Sequence, residues 1–316
     1  MTANDRVRVR TFGAPASEAA KHVAAAWPDA EVLGDTSDGD FSAALVWDCD
    51  PGELAGFLDA QPALAWLHTT AAGLPPEVLS RLAGREGLTV TNGAGTHGDA
   101  VAEHVLALTL AHCKRLPQLF DAQRTSRWQP PVARELRGLR AGIVGLGDLG
   151  RATARLLSAF GTEVVGLRRG EGAVAEVSAT YRSDQLDAFC EGLDLLVVAA
   201  PLTEGTRGLI GRRQLARLQH GAFLVNVGRG PIVDEEALLH AVHTGQLAGA
   251  ALDVFATEPL PASSALWSTP GVLITPHCAD TTAETDRRCL DLVLDNIARY
   301  RSGRPLRNVV DPQRGY

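Results

Sequence analysis

Three short stretches in the second half of the chain carry side chains that could together handle a hydride acceptor and a proton. Arg229 lies in Asn226-Val227-Gly228-Arg229-Gly230, Glu258 follows Asp253-Val254-Phe255, and His277 closes Thr275-Pro276-His277. Hydride addition to a 2-keto acid needs a fixed cation for the carboxylate and carbonyl. It also needs a proton donor for the alkoxide that develops. The planar fork of Arg229 matches a carboxylate. His277 is the side-chain type most easily poised near neutral pH. Glu258 could pair with His277, orient the ring and favour its protonated form. Each has a plain alternative when taken alone: a surface arginine, an exposed glutamate before proline, a loop histidine. For the three together the plain alternative is weak.

Such chemistry needs a hydride source, and Leu139–Arg169 supplies the pattern for one. Ala141–Val144 and Glu163–Leu167 are short apolar runs, and Arg151–Phe160 between them has apolar residues at helical intervals. Gly145, Gly147 and Gly150 fall at the G-x-G-x-x-G spacing, with Leu146, Asp148 and Leu149 between them. These glycines serve a tight turn, close approach of backbone to a pyrophosphate, and close packing of helix on strand. The helix N-terminus would hold the phosphate anion. With strand and helix in the required places, a dinucleotide site is favoured over an ordinary turn. An NAD enzyme usually has an acidic residue at the end of the second strand, on the ribose hydroxyl. Arg168 and Arg169 stand there instead. A guanidinium can bind a 2′-phosphate through two parallel hydrogen bonds. NADP(H) is therefore preferred and NAD(H) remains possible; the alternative is two solvated arginines in a loop.

The elements that must position these residues alternate between strand and helix. In residues 1–95 strands are expected at Val7–Phe12, Ala43–Trp47, Ala63–His68 and Leu88–Thr91. Helical segments are expected at Ser17–Trp27, Leu54–Leu58 and Pro75–Ala83. Alternation of this kind argues for a parallel sheet with ligands at the carboxyl ends of its strands. Trp47 and the small-residue loop ending in Ala72 and Gly73 lie at such ends, although a plain turn is an equal alternative for the loop. Thr96–Arg115 reads as a long helix, and Leu116–Arg137 has no clear period and could be an arm that packs on a second subunit. Beyond Arg169, strands are expected at Leu195–Ala199, Ala222–Val227, Ala250–Val254 and Val272–Ile274. Helices are expected at Arg212–Leu218, Glu235–His243 and Thr282–Tyr300. The fold class is α/β, with two doubly wound parallel sheets, one Rossmann-like and one flavodoxin-like.

Composition narrows the partners. At 316 residues the chain suits two domains, and a net charge of -7 with no basic run argues against nucleic acid. No apolar run is long enough to span a bilayer, and MTANDRVRVR lacks the apolar core of a signal peptide. The five cysteines are scattered without a CxxC pair, as in a reduced, cytoplasmic protein. His240 and His243 share a helix face without a third ligand nearby, so no metal is expected.

Five motifs then give a specific resemblance: GLGDLG (Gly145–Gly150), LDLLVVAAPLTEGTRGLI (Leu193–Ile210), LVNVGRGPIVDEEAL (Leu224–Leu238), GAALDVFATEPLP (Gly249–Pro261) and ITPH (Ile274–His277). The chain resembles the D-isomer-specific 2-hydroxyacid dehydrogenase family along nearly its full length, and is especially similar to short glyoxylate or hydroxypyruvate reductases. The resemblance implies that Arg229, Glu258 and His277 form a catalytic triad and that Asp253 faces the nicotinamide carboxamide. It implies that Pro201, Thr206, Val227 and Gly228 line the cofactor, and that the backbone at Ala72 and Gly73 binds the substrate carboxylate. Residues 96–281 would bind the dinucleotide; residues 1–95 and 282–316 would form the substrate domain. A homodimer with a small 2-keto or 2-hydroxy acid as substrate is implied, away from membranes.

The chain departs from the family pattern at four places. Leu74-Pro75 replaces the usual acid after Gly73, Arg168 replaces the ribose acid, and Asp280 stands three residues after His277 where a small residue is usual. No regulatory domain is expected after Tyr316. Formate or phosphite dehydrogenases share the fold, but formate dehydrogenases carry Gln in place of Glu258. A dinucleotide-sensing corepressor, from another functional class, is the remaining alternative.

Overall fold

The computed structural model of the protein describes residues 7–13, 16–34, 39–47, 49–74, 76–82, 85–170 and 172–311. The chain divides into two compact units, Met1–His97 with Thr282–Tyr316, and Gly98–Thr281.

The first unit opens with β1 (Val7–Phe12), α1 (Ala16–Ala26), β2 (Ala30–Leu33), β3 (Ala43–Val46), α2 (Pro51–Ala60), β4 (Trp66–Thr69), α3 (Pro76–Leu82) and β5 (Thr89–Thr91). Its sheet has the order β2-β1-β3-β4-β5 with every pair parallel, the flavodoxin-like order. β3 and β4 are buried along their whole length, as strands covered by helices on both faces must be. Helix α2 starts earlier than its apolar residues suggest. The Asp50 carboxylate accepts from the Gly52 and Glu53 N–H groups, and Pro51 needs no donor at the first helical position. The expected helix ends Pro75 and Ala83 lie outside the described residues.

The second unit comprises α4 (Gly98–Cys113), α5 (Leu116–Arg124), β6 (Arg140–Val144), α6 (Asp148–Ala159), β7 (Glu163–Leu167), β8 (Ala179–Tyr181), α7 (Leu186–Cys190), β9 (Leu195–Val198), α8 (Arg212–Leu215), β10 (Ala222–Asn226), α9 (Glu235–His243), β11 (Leu247–Leu252) and β12 (Val272–Ile274). The parallel sheet runs β12-β11-β10-β9-β6-β7-β8, so its order reverses between β6 and β9. This is the Rossmann order with one strand added, and that reversal is where a dinucleotide binds. Side chains alternate across the sheet. Leu195 and Val197 of β9 join one apolar cluster, while Leu196 and Val198 join the other. Neither face is left to water, which is why these strands read as continuous apolar runs.

The final helix, α10 (Ala283–Arg301), is capped by the Thr282 hydroxyl, which accepts from the Thr285 N–H. It returns to the first unit, where Val293 and Ile297 are buried with Val9, Trp27 and Trp66.

Leu116–Arg137 departs from the patternless reading, because its first nine residues form α5. Leu116, Leu119 and Phe120 give it a short apolar stripe, but no α5 residue is buried. Phe120 is half-exposed, and Trp128 and Val132 are 99% and 92% exposed.

Two histidines give stability a pH dependence. His68 in β4 is fully buried, with Nδ1 2.8 Å from the Thr91 hydroxyl and no partner for Nε2. Burial lowers its pKa from 6.5 to about 4. His112, stacked on Phe223, is lowered from 6.5 to about 4 by burial and then by Arg115 and Arg134. Between these values the unfolded chain holds more protons, so folded stability is fully present above pH 6.5 and is lost as pH falls towards 4. For His68 the loss amounts to about 3 kcal/mol across that window. Melting temperatures measured from neutral pH down to the lower value should fall. The fall should be smaller in His68→Asn; an equal fall would remove His68 as its source.

Candidate active site

The cofactor end of the site begins where β6 stops. Gly145 has φ +93°, a left-handed conformation, and a Cβ there would meet the Ala200 backbone at 2.8 Å. Both constraints demand glycine at the strand-to-helix turn. Nothing lies within 4 Å of a Cβ built at Gly147, leaving an open approach to the backbone. Gly150 sits against the Gly145 carbonyl and Ile143, where a side chain would drive the helix off the strand. The N-cap of α6 is Gly147, with no side chain capping the first turn. Its free N–H groups fit a pyrophosphate. Leu146 turns inward over Gly166, and Leu149 packs against the apolar cluster beneath the turn.

Asp148 has a different task from its neighbours. Its carboxylate accepts from the Gly98 N–H at 2.8 Å and so ties the start of α4 to the glycine turn. An anion beside a helix N-terminus is favourable there. With the carboxylate so engaged, it is the backbone of Asp148 that remains to face a phosphate.

Arg168 directly follows β7, and its N–H donates to the Tyr181 carbonyl of β8 at 3.0 Å. No carboxylate among the described residues forms an ion pair with its guanidinium. Arg169 beside it is exposed. Pro201 and Thr206 close the loop after β9. The Thr206 hydroxyl donates to the Pro201 carbonyl at 2.7 Å and receives the Thr203 N–H at 2.7 Å. Val227 is buried, and its N–H donates to the Val198 carbonyl at 3.0 Å. Gly228 approaches Ala200 so closely that a Cβ would lie 2.7 Å from the Ala200 oxygen. These residues therefore gather at the carboxyl ends of β9 and β10.

Three loops at the carboxyl ends of β10, β11 and β12 carry the polar residues. Asn226, fully buried, clamps the first: its Oδ1 accepts from the Gly228 N–H at 3.1 Å and its Nδ2 donates to the Arg229 carbonyl at 3.2 Å. Arg229 is half-buried, and its Nη1 donates to the Gly228 carbonyl at 2.7 Å. No acidic side chain among the described residues neutralises this guanidinium. On the second loop, Glu258 uses both carboxylate oxygens. Oε1 accepts from the Phe255 N–H at 2.8 Å, and Oε2 lies 2.7 Å from His277 Nδ1. The carboxylate makes Nδ1 the donor, which leaves Nε2 as the outward-facing nitrogen.

His277 has φ +51°, uncommon for a residue with a Cβ. Asp253, only 2% exposed, holds the loop in that form. Its backbone carbonyl accepts from the His277 N–H at 2.8 Å. Its Oδ1 accepts from the Cys278 N–H at 3.0 Å and Oδ2 from the Ala279 N–H at 3.1 Å. Asp253 thus has a structural task that the resemblance did not suggest. Cys278 beside it is raised above the usual thiol range by burial, then by the charge and hydrogen bond of Asp253 and by the charge of Asp280.

The other candidates lie in the first unit. The Ala72 carbonyl accepts from Asn92 Nδ2 at 2.9 Å, and the Gly93 N–H donates to the Ala71 carbonyl at 3.0 Å, so the loop holding Ala72 and Gly73 is pinned at its base. The Trp47 indole packs on the cluster of Val9, Trp27 and Val293. All five cysteines are free thiols. Among the described residues no His, Cys, Asp and Glu cluster is arranged to hold a metal, and no helix is long and apolar enough to cross a membrane.

A Rossmann sheet with an open glycine turn at its reversal is the arrangement of a dinucleotide-binding domain, and the three polar loops stand at the carboxyl ends of strands in the same sheet. Residues 106–279 match the model of the D-isomer specific 2-hydroxyacid dehydrogenase NAD binding domain. The chain belongs to the D-isomer specific 2-hydroxyacid dehydrogenase family. It is 35% identical over 291 residues to the glyoxylate reductase of Thermofilum pendens, covering 87% of this chain and 83% of that one. It is 33% identical over 263 residues to glyoxylate/hydroxypyruvate reductase B of Yersinia enterocolitica, covering 81% and 80%. A D-isomer specific 2-hydroxyacid dehydrogenase from Xanthobacter autotrophicus Py2, solved with NADPH and MES, matches with TM-score 0.83 and 34% identity over 99% of this chain and 100% of that one. An NADPH-dependent glyoxylate/hydroxypyruvate reductase from Sinorhizobium meliloti, solved with NADP and sulfate, matches with TM-score 0.83 and 29% identity over 98% and 100%.

Proposed function

We propose that the protein is an NADPH-preferring reductase of a small 2-keto acid, glyoxylate or hydroxypyruvate, giving the D-2-hydroxy acid. The observation that carries the reading is the His277–Glu258 pair, 2.7 Å apart, on strand-end loops of the same sheet that presents Arg229 and the glycine turn. Bound NADPH supplies the hydride to the carbonyl carbon. Arg229 holds the keto-acid carboxylate and polarises the carbonyl through its charged N–H groups. His277, protonated on both ring nitrogens, releases the Nε2 proton to the developing alkoxide, and Glu258 accepts the Nδ1–H and holds the ring in the orientation for that transfer. The unit Gly98–Thr281 is assigned the cofactor and the flavodoxin-like unit the role of substrate domain.

Arg168 supports NADPH over NADH, as do the NADP and NADPH complexes of the related structures. Arg168→Asp should lower NADPH affinity by about 10- to 100-fold, since a hydrogen bond to a charged group is worth roughly 1.5–3 kcal/mol. NADH affinity should hold or improve. Titration of cofactor fluorescence checks both, and unchanged NADPH affinity would return Arg168 to the solvent.

A homodimer is supported by the large apolar side chains left exposed between residues 119 and 132, with Phe120 half-exposed and Trp128 and Val132 nearly fully exposed. Trp128→Asp should shift the sedimentation coefficient from dimer towards monomer; a monomeric wild type would end the proposal. The free thiols support a reducing compartment, the cytoplasm.

The functional reading is tested by loss of reduced-nicotinamide absorbance on glyoxylate, hydroxypyruvate, pyruvate and larger 2-keto acids, with NADPH and NADH in parallel. Turnover fastest on the two smallest acids is the expected result. Tight cofactor binding without turnover on any keto acid would instead favour a dinucleotide sensor.

A further inference from the structure

We infer that His104 is a positioning residue for His277, acting through Thr275 and Asp253; the inference rests on His277 being the proton donor. His104 lies in the middle of α4, away from every motif that marks the site. Its side chain is 20% exposed, and its Nε2 stands 3.1 Å from the Thr275 hydroxyl and 3.7 Å from Asp253 Oδ1. The Thr275 hydroxyl in turn donates to Asp253 Oδ1 at 2.6 Å.

Proton counting orders this chain of contacts. A hydroxyl has one proton, and the short bond to a buried carboxylate takes it. The Thr275 oxygen can then only accept from His104, so His104 carries its proton on Nε2. The Asp253 carboxylate receives the Thr275 hydroxyl and the N–H groups of Cys278 and Ala279. These are the two residues that follow His277. His104 therefore fixes the rotamer of the hydroxyl that fixes the carboxylate that holds the loop. A buried network of this kind rigidifies its members only when every donor and acceptor is matched.

The helix that carries His104 is itself anchored. The Gly98 N–H at the start of α4 donates to Asp148 in the glycine turn. One helix thus ties the loop that would hold the cofactor to the loop that would deliver the proton, and His104 is its contact with the second. Leucine at position 104 would leave the Thr275 oxygen short of a donor, with its hydroxyl held by the Asp253 carboxylate alone and less firmly placed. Small displacements of a reacting group are amplified in rate, so the effect should appear in kcat.

The test uses His104→Leu, His104→Gln, whose amide restores a donor at similar reach, and Thr275→Val, which breaks the next link. Glyoxylate turnover is measured with NADPH, and the His277 ring is followed by nuclear magnetic resonance of ¹⁵N-histidine-labelled protein without cofactor, its signal assigned by its absence in His277→Ala. His104→Leu and Thr275→Val should each lower kcat about tenfold. They should shift the His277 ring signal and leave the KM for NADPH close to wild type, while His104→Gln should recover most of both effects. Wild-type kcat and an unmoved ring signal in His104→Leu would overturn the inference, as would equal loss in Leu and Gln, which would mark a packing role. If His104→Leu does not fold, Thr275→Val with an unmoved ring signal overturns it. A wild type with no turnover would sink the reductase reading separately, and the ring signal alone would then decide the link to His104.

Discussion

His277→Ala is expected to lower turnover of 2-keto acid reduction by about two to four orders of magnitude, the usual contribution of a positioned general acid. The expectation rests on geometry. Nδ1 is committed to Glu258 at 2.7 Å, and the imidazole is only partly covered, at 46% side-chain exposure, so Nε2 is accessible to a ligand. Alanine leaves the developing alkoxide to water. The loop itself should survive, because the bonds that hold it come from the backbone of residues 277–279 to Asp253 and not from the imidazole. NADPH binding should therefore be retained, and a fluorescence titration beside the kinetic assay separates loss of chemistry from loss of fold. Glu258→Gln keeps an oxygen for the Phe255 N–H but loses the anion beside the ring, and the loss should be smaller, about tenfold. Turnover near wild type in His277→Ala would move the proton to another donor.

The chain revealed most where one physical requirement acted locally. Strands buried on both faces read as unbroken apolar runs, so β6, β7, β9 and β10 were legible within a residue or two. The glycine turn was legible because each glycine answers a steric demand, which the close approach of Ala200 to Gly145 makes explicit. The short strands at one edge of each sheet were not legible. β2 and β8 are four and three residues long and largely half-exposed, and they mix apolar residues with Glu31 or Thr180, whereas the equally short β12 is the unbroken apolar run Val272–Ile274. Strand β11 begins three residues before its expected start because Leu247–Gly249 contains glycine and alanine, which carry little strand preference. At the site, Arg229, Glu258 and His277 could be picked out as types, each next to a strand end. The clamp from Asn226 and the tasks of Asp148 and Asp253 could not, since they depend on which backbone N–H groups the fold brings near a carboxylate. His104 was beyond reach for the same reason: 171 residues separate it from Thr275.

Arg229→Ala should lower kcat/KM for the keto acid by about 10²- to 10³-fold, as removing one partner of a desolvated charge pair costs roughly 2–5 kcal/mol. Arg229→Lys is the more informative variant. It keeps the charge but loses the planar fork, so a carboxylate is no longer gripped by two parallel bonds. A loss of about tenfold, between wild type and alanine, is expected for a bidentate grip. The backbone around Arg229 cannot shift to compensate. Asn226 holds the Gly228 N–H and the Arg229 carbonyl, and at Gly230 a Cβ would collide with the backbone of Phe255 and Ala256. The turn is therefore rigid on both sides of the arginine, and the ammonium of a lysine must reach the acid from a fixed Cα. If alanine and lysine lose equally, geometry rather than charge carries the interaction. If lysine is as good as arginine, the carboxylate is held elsewhere and Arg229 acts only as a distant positive charge.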